Sequence, residues 1–511
     1  MRKQNNKNQK KKQRKSEISQ IFSKVPVIGY NNIGYEKSEK IQATNYGGVG
    51  LVVELLELTR LPELINENVG LIHQPKPYYD SDHVFSMVCN IITGGQTLFE
   101  INQKRLDAAF LKALGANRLP HSTTAGDYLA RFEIADDALR LMESINEGRK
   151  KVWNKLPATS SGKKFERANI DIDGTIAATW AECKQGIGFS YKGIWGYAPL
   201  LFSLANTREL LFIVNRPGNA RYSCDDSHWA DKAVELVRPY SERVCLRGDS
   251  EFPLTRRFDE WTEKGIEFVF CYRSCKSLLE MADDLPEEAW AKLKRKTPEP
   301  TSATRAKPEN VKEKIVREKQ YKNLKLLEEH VSEFEYQPTC CKKAYRMVVL
   351  RKKIQVSEVR DGLFGEEVEI RYFFYITNRI DLIAEEVVFE SNKRCNQENL
   401  IEQMKNGVNA MKMPTSNLYS NWAYMIIASL AWNFKTWLAL LTPENLKGPD
   451  GCKARQKLLR MEYRQFFHSF ILLPCQIVKK GRKLVFRLLA ENSWSAVFLE
   501  LFNKLRKLKF S

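Results

Sequence analysis

Apolar residues recur at helical spacing over much of residues 47–150. The run Gly48–Leu58 sets the pattern, and His83–Ile92 and Leu106–Leu114 continue it. Pro120-His121-Ser122-Thr123-Thr124, ahead of Asp127-Tyr128-Leu129, reads as a capped helix start. Near residue 166 the period changes. Asn169–Ala178, Tyr197–Ala205 and Leu210–Asn215 read as strands. His228–Val237 is then a helix, Arg243–Leu246 a strand, Pro253–Lys264 a helix and Ile266–Tyr272 a strand. Three strands, helix, strand, helix, strand is an α/β order.

Residues 273–340 interrupt this order. Pro286, Pro298, Pro300 and Pro308 stand among many Lys and Glu, which reads as an exposed charged insertion with one or two helices. Strands return at Tyr345–Ile354 and Val368–Thr377. Ala384–Met411 is helical, Ser416–Leu441 is a long apolar helix or pair, and a basic helical region begins at Gly451. Trp422–Leu441 has the length of a membrane span. It carries Asn433 and Lys435 and has no companion span, so a buried core helix is the expectation. No internal repeat is visible.

Charge adds a partner. The chain of 511 residues has 81 Lys+Arg against 62 Asp+Glu, a formal net charge of +19. Such an excess attracts polyanions, nucleic acid first among them. Met1–Ser16 holds eight Lys/Arg and no acid, a block that repels itself and is expected to be disordered alone. Lys479, Lys480, Arg482, Lys483, Lys504, Arg506, Lys507 and Lys509 make the other end basic. No apolar segment follows the basic N-terminus, so it does not read as a secretory signal. The eleven cysteines form no CxxC pair set and the six histidines no HExxH. The expectation is reduced, buried thiols in a cytoplasmic protein without structural zinc.

Three acidic stretches are candidates for chemistry. In Asn169-Ile170-Asp171-Ile172-Asp173-Gly174-Thr175, strand alternation puts Asp171 and Asp173 on one face. Two acids on one strand face are costly to desolvate unless a cation offsets them; a solvated edge strand ending in an Asp-Gly turn is the plain alternative. Leu246-Arg247-Gly248-Asp249-Ser250 places an acid at the end of an apolar strand, where α/β ligand sites lie; there Asp249 or Ser250 would otherwise only cap the next helix. On one regular helix, Arg394, Glu398 and Lys405 would fall within about 40° of one another. That suits a metal ligand bracketed by phosphate clamps, and it also suits a solvated helix face with one ion pair.

Asp173-Gly174-Thr175, then Gly248-Asp249-Ser250, then Arg394-x3-Glu398-x6-Lys405 resemble the DDE transposases defined by a Tyr-x2-Arg-x3-Glu-x6-Lys motif, found in bacterial insertion sequences. Phe189–Tyr197, Arg216-Pro217-Gly218-Asn219 and Asn421-Trp422-Ala423-Tyr424 are similar to that family as well. The resemblance spans about residues 47–440. It implies an α/β fold: an RNase H-like core with an insertion between the second Asp and the Glu, a helical N-terminal domain and a basic helical C-terminal region. The corresponding segments are a basic tail (1–46), a helical DNA-end-binding domain (47–165), core (166–272), insertion (273–366), core with the glutamate helix (367–445) and a basic region (446–511).

By position, the resemblance makes Asp173, Asp249 and Glu398 the catalytic, metal-binding acids. Asp171 is a rival for the first, and the Gly-Thr context favours Asp173. Arg394, Lys405, Lys192 and Arg216 become DNA contacts. The motif tyrosine falls on Ser391, a departure that removes a tyrosine contact to the DNA end. The implied activity is endonucleolytic cleavage at element ends and strand transfer, with two Mg2+ (or Mn2+ in their place). The implied partners are terminal inverted repeats and target DNA, bound by a homodimer at the nucleoid, with no membrane. A catalytically inactive DNA-binding derivative, or an RNase H-like nuclease without strand transfer, is the alternative.

Overall fold

The computed structural model describes residues 42–74, 77–190, 192–220, 227–252, 254–295, 323–360, 363–444, 453–481 and 483–508. The basic run Met1–Ser16, Tyr191, Pro298, Pro300, Pro308, Gly451, Arg482 and Lys509 lie outside the described residues. The chain divides into two units, Met1–Gln42 and Ala43–Ser511, and the elements below all belong to the second.

The helical periodicity of the first third becomes β1 (Ala43–Thr44), α1 (Val49–Thr59), α2 (Leu61–Asn68), α3 (Asp80–Ile92), α4 (Ile101–Leu106), α5 (Ala108–Ala113), α6 (Ser122–Ala130) and α7 (Ala135–Asn154). Side chains fix the helix starts. Asp107 Oδ1 accepts from Ala109 N and Phe110 N, both at 2.9 Å, and opens α5. At α6 the His121 ring accepts from Thr123 N at 3.2 Å, one residue ahead of the hydroxyls that mark the start in sequence.

The α/β stretch follows in the order read from sequence: β2 (Phe165–Gly174), β3 (Ala177–Ala178), β4 (Gly188–Phe189), β5 (Trp195–Tyr197), β6 (Leu200–Leu204), β7 (Glu209–Val214), α8 (Ser227–Val237), β8 (Ser241–Gly248), α9 (Phe258–Glu263) and β9 (Ile266–Tyr272). Then come α10 (Lys276–Asp283), β10 (Ala291–Lys292), β11 (Asn323–Tyr336), β12 (Tyr345–Arg360) and β13 (Leu363–Thr377). The C-terminal part holds α11 (Ala384–Asn392), α12 (Asn396–Glu402), α13 (Leu418–Leu441), α14 (Ala454–Arg460), α15 (Tyr463–Phe466), β14 (Cys475–Lys480), β15 (Lys483–Leu488) and α16 (Ser495–Leu508).

One mixed sheet runs β10-β11-β12-β13-β9-β8-β2-β6-β7. β8 is parallel to both β2 and β9, and β6 and β7 turn back antiparallel. The stretch 273–340, expected to be an exposed charged insertion with one or two helices, holds the helix α10 and also the strands β10 and β11 among its described residues. β11 pairs with β12 and β13 with β9, so these strands continue the α/β sheet. The acids of β11 face bases on β12, with Glu328 opposite Lys353 and Glu329 opposite Lys352, while Val331 is buried. Opposite charges across a ladder stabilise it, and their partners lie too far along the chain for a local pattern to reveal. The C-terminal region, expected to be helical, also contains the β14–β15 hairpin, which pairs with β1.

Helix α13 is the span-length segment, and its whole apolar window is buried. Asn417 caps it, accepting from Tyr419 N at 2.8 Å and Ser420 N at 3.2 Å. Its polar residues are satisfied inside the core. Asn433 bonds Leu210 N and O on β7 at 3.0 Å each, and Lys435 Nζ donates to Leu459 O at 2.7 Å. Beside it, the fully buried pair Arg149–Glu209 (3.0 Å) ties α7 to β7. Trp153 Nε1 at 2.8 Å and Trp437 Nε1 at 2.6 Å complete the Glu209 carboxylate. A buried charge is tolerable when its partners are all present. Of the described cysteines, Cys89, Cys245, Cys341 and Cys475 are buried as expected, but Cys183, Cys275, Cys340 and Cys395 are exposed.

Candidate active site

The parallel register of β2 and β8 builds the site. Asp171 stands opposite Arg247 and Ile172 opposite Gly248. Asp173 and Asp249 come next on their strands, so both acids leave the same end of the sheet side by side. Gly248 serves packing: a Cβ there would lie 2.8 Å from the Phe270 ring. Asp249 Oδ1 accepts from Glu251 N at 2.9 Å, which shapes the turn after β8.

Asp171 and Asp173 share a strand face and differ in partner. Asp171 is 1% exposed and receives Arg247 through Nε at 2.6 Å and Nη2 at 3.0 Å. Arg247 also binds Glu390 of α11 at 2.7 Å, and Glu390 binds Lys393 at 2.8 Å. Burial pushes the Asp171 carboxyl up to about 6, against the pull of Arg247. Asp173 instead lines an open cleft, and Arg394 Nη1 meets its Oδ2 at 3.1 Å. Burial pushes Asp173 up to about 6 as well; Arg394 opposes this, and Asp249 and Glu398 add to it.

The glutamate helix is not one regular helix. Lys393–Cys395 is a 3-10 turn, α12 follows, and Gln403–Gly407 is π-helical. The single 3.6-residue stripe expected for Arg394, Glu398 and Lys405 is therefore broken. Arg394 and Lys405 nonetheless reach the same cleft region as Asp173. Burial lowers the pKa of Lys405, and nearby Lys192 adds to that. Gln397, which the sequence reading passed over, is 2% exposed. Its Nε2 donates to Asp171 O at 3.0 Å and Leu201 O at 3.2 Å, pinning α12 across β2 and β6. Leu400 and Ile401, three and four residues on and so on the same helix face as Gln397, were the available signal. Ser391, at the motif's tyrosine position, is buried, with its Oγ 3.3 Å from Cys271 Sγ.

The cleft has a volume of about 1730 Å3, and Asp173, Asp249, Lys192, Arg216 and Lys405 line it. Arg216 is 7% exposed and donates Nε to Ala198 O at 3.0 Å, so it props the wall. The segment after it packs tightly: a Cβ on Gly218 would lie 2.0 Å from Gly196 O and 2.3 Å from Gly188 O. Phe189 and Ile194, both exposed, give the cleft an apolar rim that charge-based reading missed.

Carboxylate oxygens are hard donors and suit Mg2+ or Mn2+. Arg394 supplies a stand-in positive charge at Asp173. Among the described residues, no three His, Cys, Asp or Glu side chains are grouped closely enough to share one ion. The donor chemistry fits a divalent cation at Asp173 and Asp249.

The cleft sets acids beside cationic side chains, an arrangement that suits a phosphate-bearing ligand. The family is specific: the model described as Transposase DDE domain group 1 matches residues 40–510, and the chain belongs to that family. DDE transposase domains generally use divalent metal ions. No curated protein matches the chain. Among solved structures, the cryo-EM structure of a piggyBac transposase synaptic complex with hairpin DNA is similar, at 9% identity over 84% of each chain with a TM-score of 0.35.

Proposed function

We propose that the chain is the transposase of a bacterial insertion sequence, of the Tyr-x2-Arg-x3-Glu-x6-Lys group, and that it cleaves element ends and joins them to target DNA. The observation that carries this is the register that sets Asp173 beside Asp249, with Arg394 on Asp173. The strand order β7-β6-β2-β8-β9, with β8 and β9 parallel to β2, supports an RNase H-like reading of the core.

Held by Asp173 and Asp249, with Glu398 to be brought in from α12 when DNA and metal bind, two divalent cations (Mg2+, with Mn2+ as substitute) would supply the charge that activates the attacking oxygen and stabilises the leaving one. The chain's own groups position the DNA. Lys405 and Lys192 clamp phosphates along the cleft, and Arg216 braces its wall. Arg394 has a buried Nε without a hydrogen-bond partner among the described residues, a donor suited to a phosphate oxygen. Gln397 pins α12, the helix that carries Glu398, across β2 and β6. The helical segment 47–165, the basic tail and the basic region 446–511 would bind terminal inverted repeats, as a homodimer on DNA at the nucleoid.

The test is a gel assay with full-length protein, DNA carrying the element's own ends, and Mg2+, beside Glu398→Gln. The expected result is cleaved and joined ends with wild type only, and equal binding by both proteins. Binding without cleavage by wild type would indicate an inactive core. Cleavage without joined ends would indicate a nuclease. Equal cleavage by both proteins would remove Glu398 from the site.

A further inference from the structure

A second cavity lies beside α12 and shares no lining residue with the cleft. Its volume is about 230 Å3, and Arg208, Arg460, Trp432, Asn399 and Gln403 are in its wall. Two guanidinium groups meet there. Burial, and then the charge of Arg460, hold Arg208 below its ordinary pKa. Neither arginine has an ion-pair partner among the described residues; Glu462, which also lines the cavity, pairs with neither.

A buried amine stands behind them, held well below its ordinary pKa by burial and then by Arg208. Lys435 is fully buried, and its Nζ lies 4.4 Å from the Trp432 ring centroid. Two guanidinium groups side by side, with neither lining acid paired to them (Asp171 is held by Arg247, and Glu462 pairs with neither arginine), is an unfavourable arrangement unless an anion joins them.

The backbone gives an independent sign. Arg208 occupies the turn between β6 and β7 with φ of 59°, a left-handed conformation that glycine adopts at least cost. The turn alone would be served by glycine, yet it carries an arginine. Trp432 Nε1 fixes that residue by donating to Arg208 O at 2.8 Å. The amide-bearing residues Asn399 and Gln403 add neutral donors of the kind that complete an anion's hydrogen bonds.

We propose that this cavity is a phosphate-binding site in which Arg208 and Arg460 hold one phosphate group, either a phosphodiester of bound DNA or free phosphate. An occupied site would tie the β6–β7 turn to α12, the helix that carries Glu398. The DNA source rests on the transposase reading; the free-phosphate source does not.

The experiment uses the full chain as wild type, Arg460→Gln, Arg208→Gln/Arg460→Gln, and the control Arg455→Gln, whose arginine is already paired with Glu444. Inorganic phosphate binding is measured by calorimetry in chloride buffer, and duplex DNA binding is measured against salt. A site of this kind predicts at least about a tenfold loss of phosphate affinity in the double variant, and an intermediate loss in Arg460→Gln, with the control unchanged. If the DNA salt slope of the double variant also falls by about 0.9, the source is a DNA phosphate. If the slope is unchanged while phosphate binding is lost, the source is free phosphate. A reduced slope in the double variant alone, with no free phosphate bound by any protein, also supports the DNA source. Equal phosphate binding and equal slopes in wild type and the double variant overturn the proposal, as does an equal effect in the control. A wild type that fails to bind DNA defeats the transposase reading, and the phosphate titration still decides this one.

Discussion

Lowering the pH from about 7.5 to about 5 at limiting Mg2+ should cut end cleavage about tenfold, because Asp173 must be ionised to hold a cation. Its carboxyl is pushed up to about 6, by burial first, then by Asp249 and Glu398 against Arg394. A carboxyl with that pKa is ionised in about 97% of molecules at pH 7.5 and in about 9% at pH 5, a ratio of about ten. The same shift acts on stability with a definite sign. With a folded pKa of about 6 and an ordinary value of 3.8, the folded chain binds more protons than the unfolded chain across that interval. Stability from this group is therefore fully present below pH 3.8 and lost as pH rises through about 6, at most about 3 kcal/mol. Asp173→Asn removes this dependence. The assay is cleavage rate against pH at limiting Mg2+, paired with urea unfolding of wild type and Asp173→Asn at pH 4 and 6.5 without metal. A rate profile flat from pH 5 to 7.5 would refute the reasoning. So would an unfolding difference between the two proteins that does not change with pH.

Two further predictions concern the residues beneath the site. Arg247→Met should destabilise the chain by about 3–5 kcal/mol in urea unfolding, because it strands the buried Asp171 carboxylate and removes one partner of Glu390; Arg247→Met/Asp171→Asn should recover part of that loss. Gln397→Ala deletes the two hydrogen bonds that pin α12 and should cost about 1–3 kcal/mol, with cleavage falling further than DNA affinity; equal loss of both would mean that Gln397 does not position Glu398.

The central sheet was legible because its signals are local. Ile266–Tyr272 is an apolar run broken only by Glu267 and bounded by Gly265, and β9 has those limits. Asp173 and Asp249 stood out as acids at the ends of apolar strands. What could not be read depended on distant partners. Asn323–Tyr336 carries charges typical of a solvated insertion, and its strand partners, among them Lys352 and Lys353 across the ladder, lie far along the chain. The helical stripe failed for a different reason: 3.6-residue arithmetic assumes one helix type, and the π-helical turn at Gln403–Gly407 displaces Lys405 from that spiral. Ser391 marked a departure from a motif, but its burial against Cys271 is a tertiary fact.

The choice between Asp171 and Asp173 shows how register, more than residue type, separates scaffold from chemistry. Both acids lie on one strand face, and burial pushes both to about 6. The neighbouring parallel strand offers Asp171 an arginine and then, one side-chain repeat later, offers Asp173 another aspartate. The first pairing neutralises its acid inside the core and locks β2, β8 and α11 together. The second leaves like charges side by side at the edge of a cleft, repelling each other with only Arg394 to moderate them. A fold under selection for stability alone would gain from an arginine or lysine at Asp249, repeating the pattern one step earlier. In a chain with a net charge of +19, two neighbouring acids whose own ion pair is Arg394 alone form the kind of arrangement that a cation arriving from outside would stabilise.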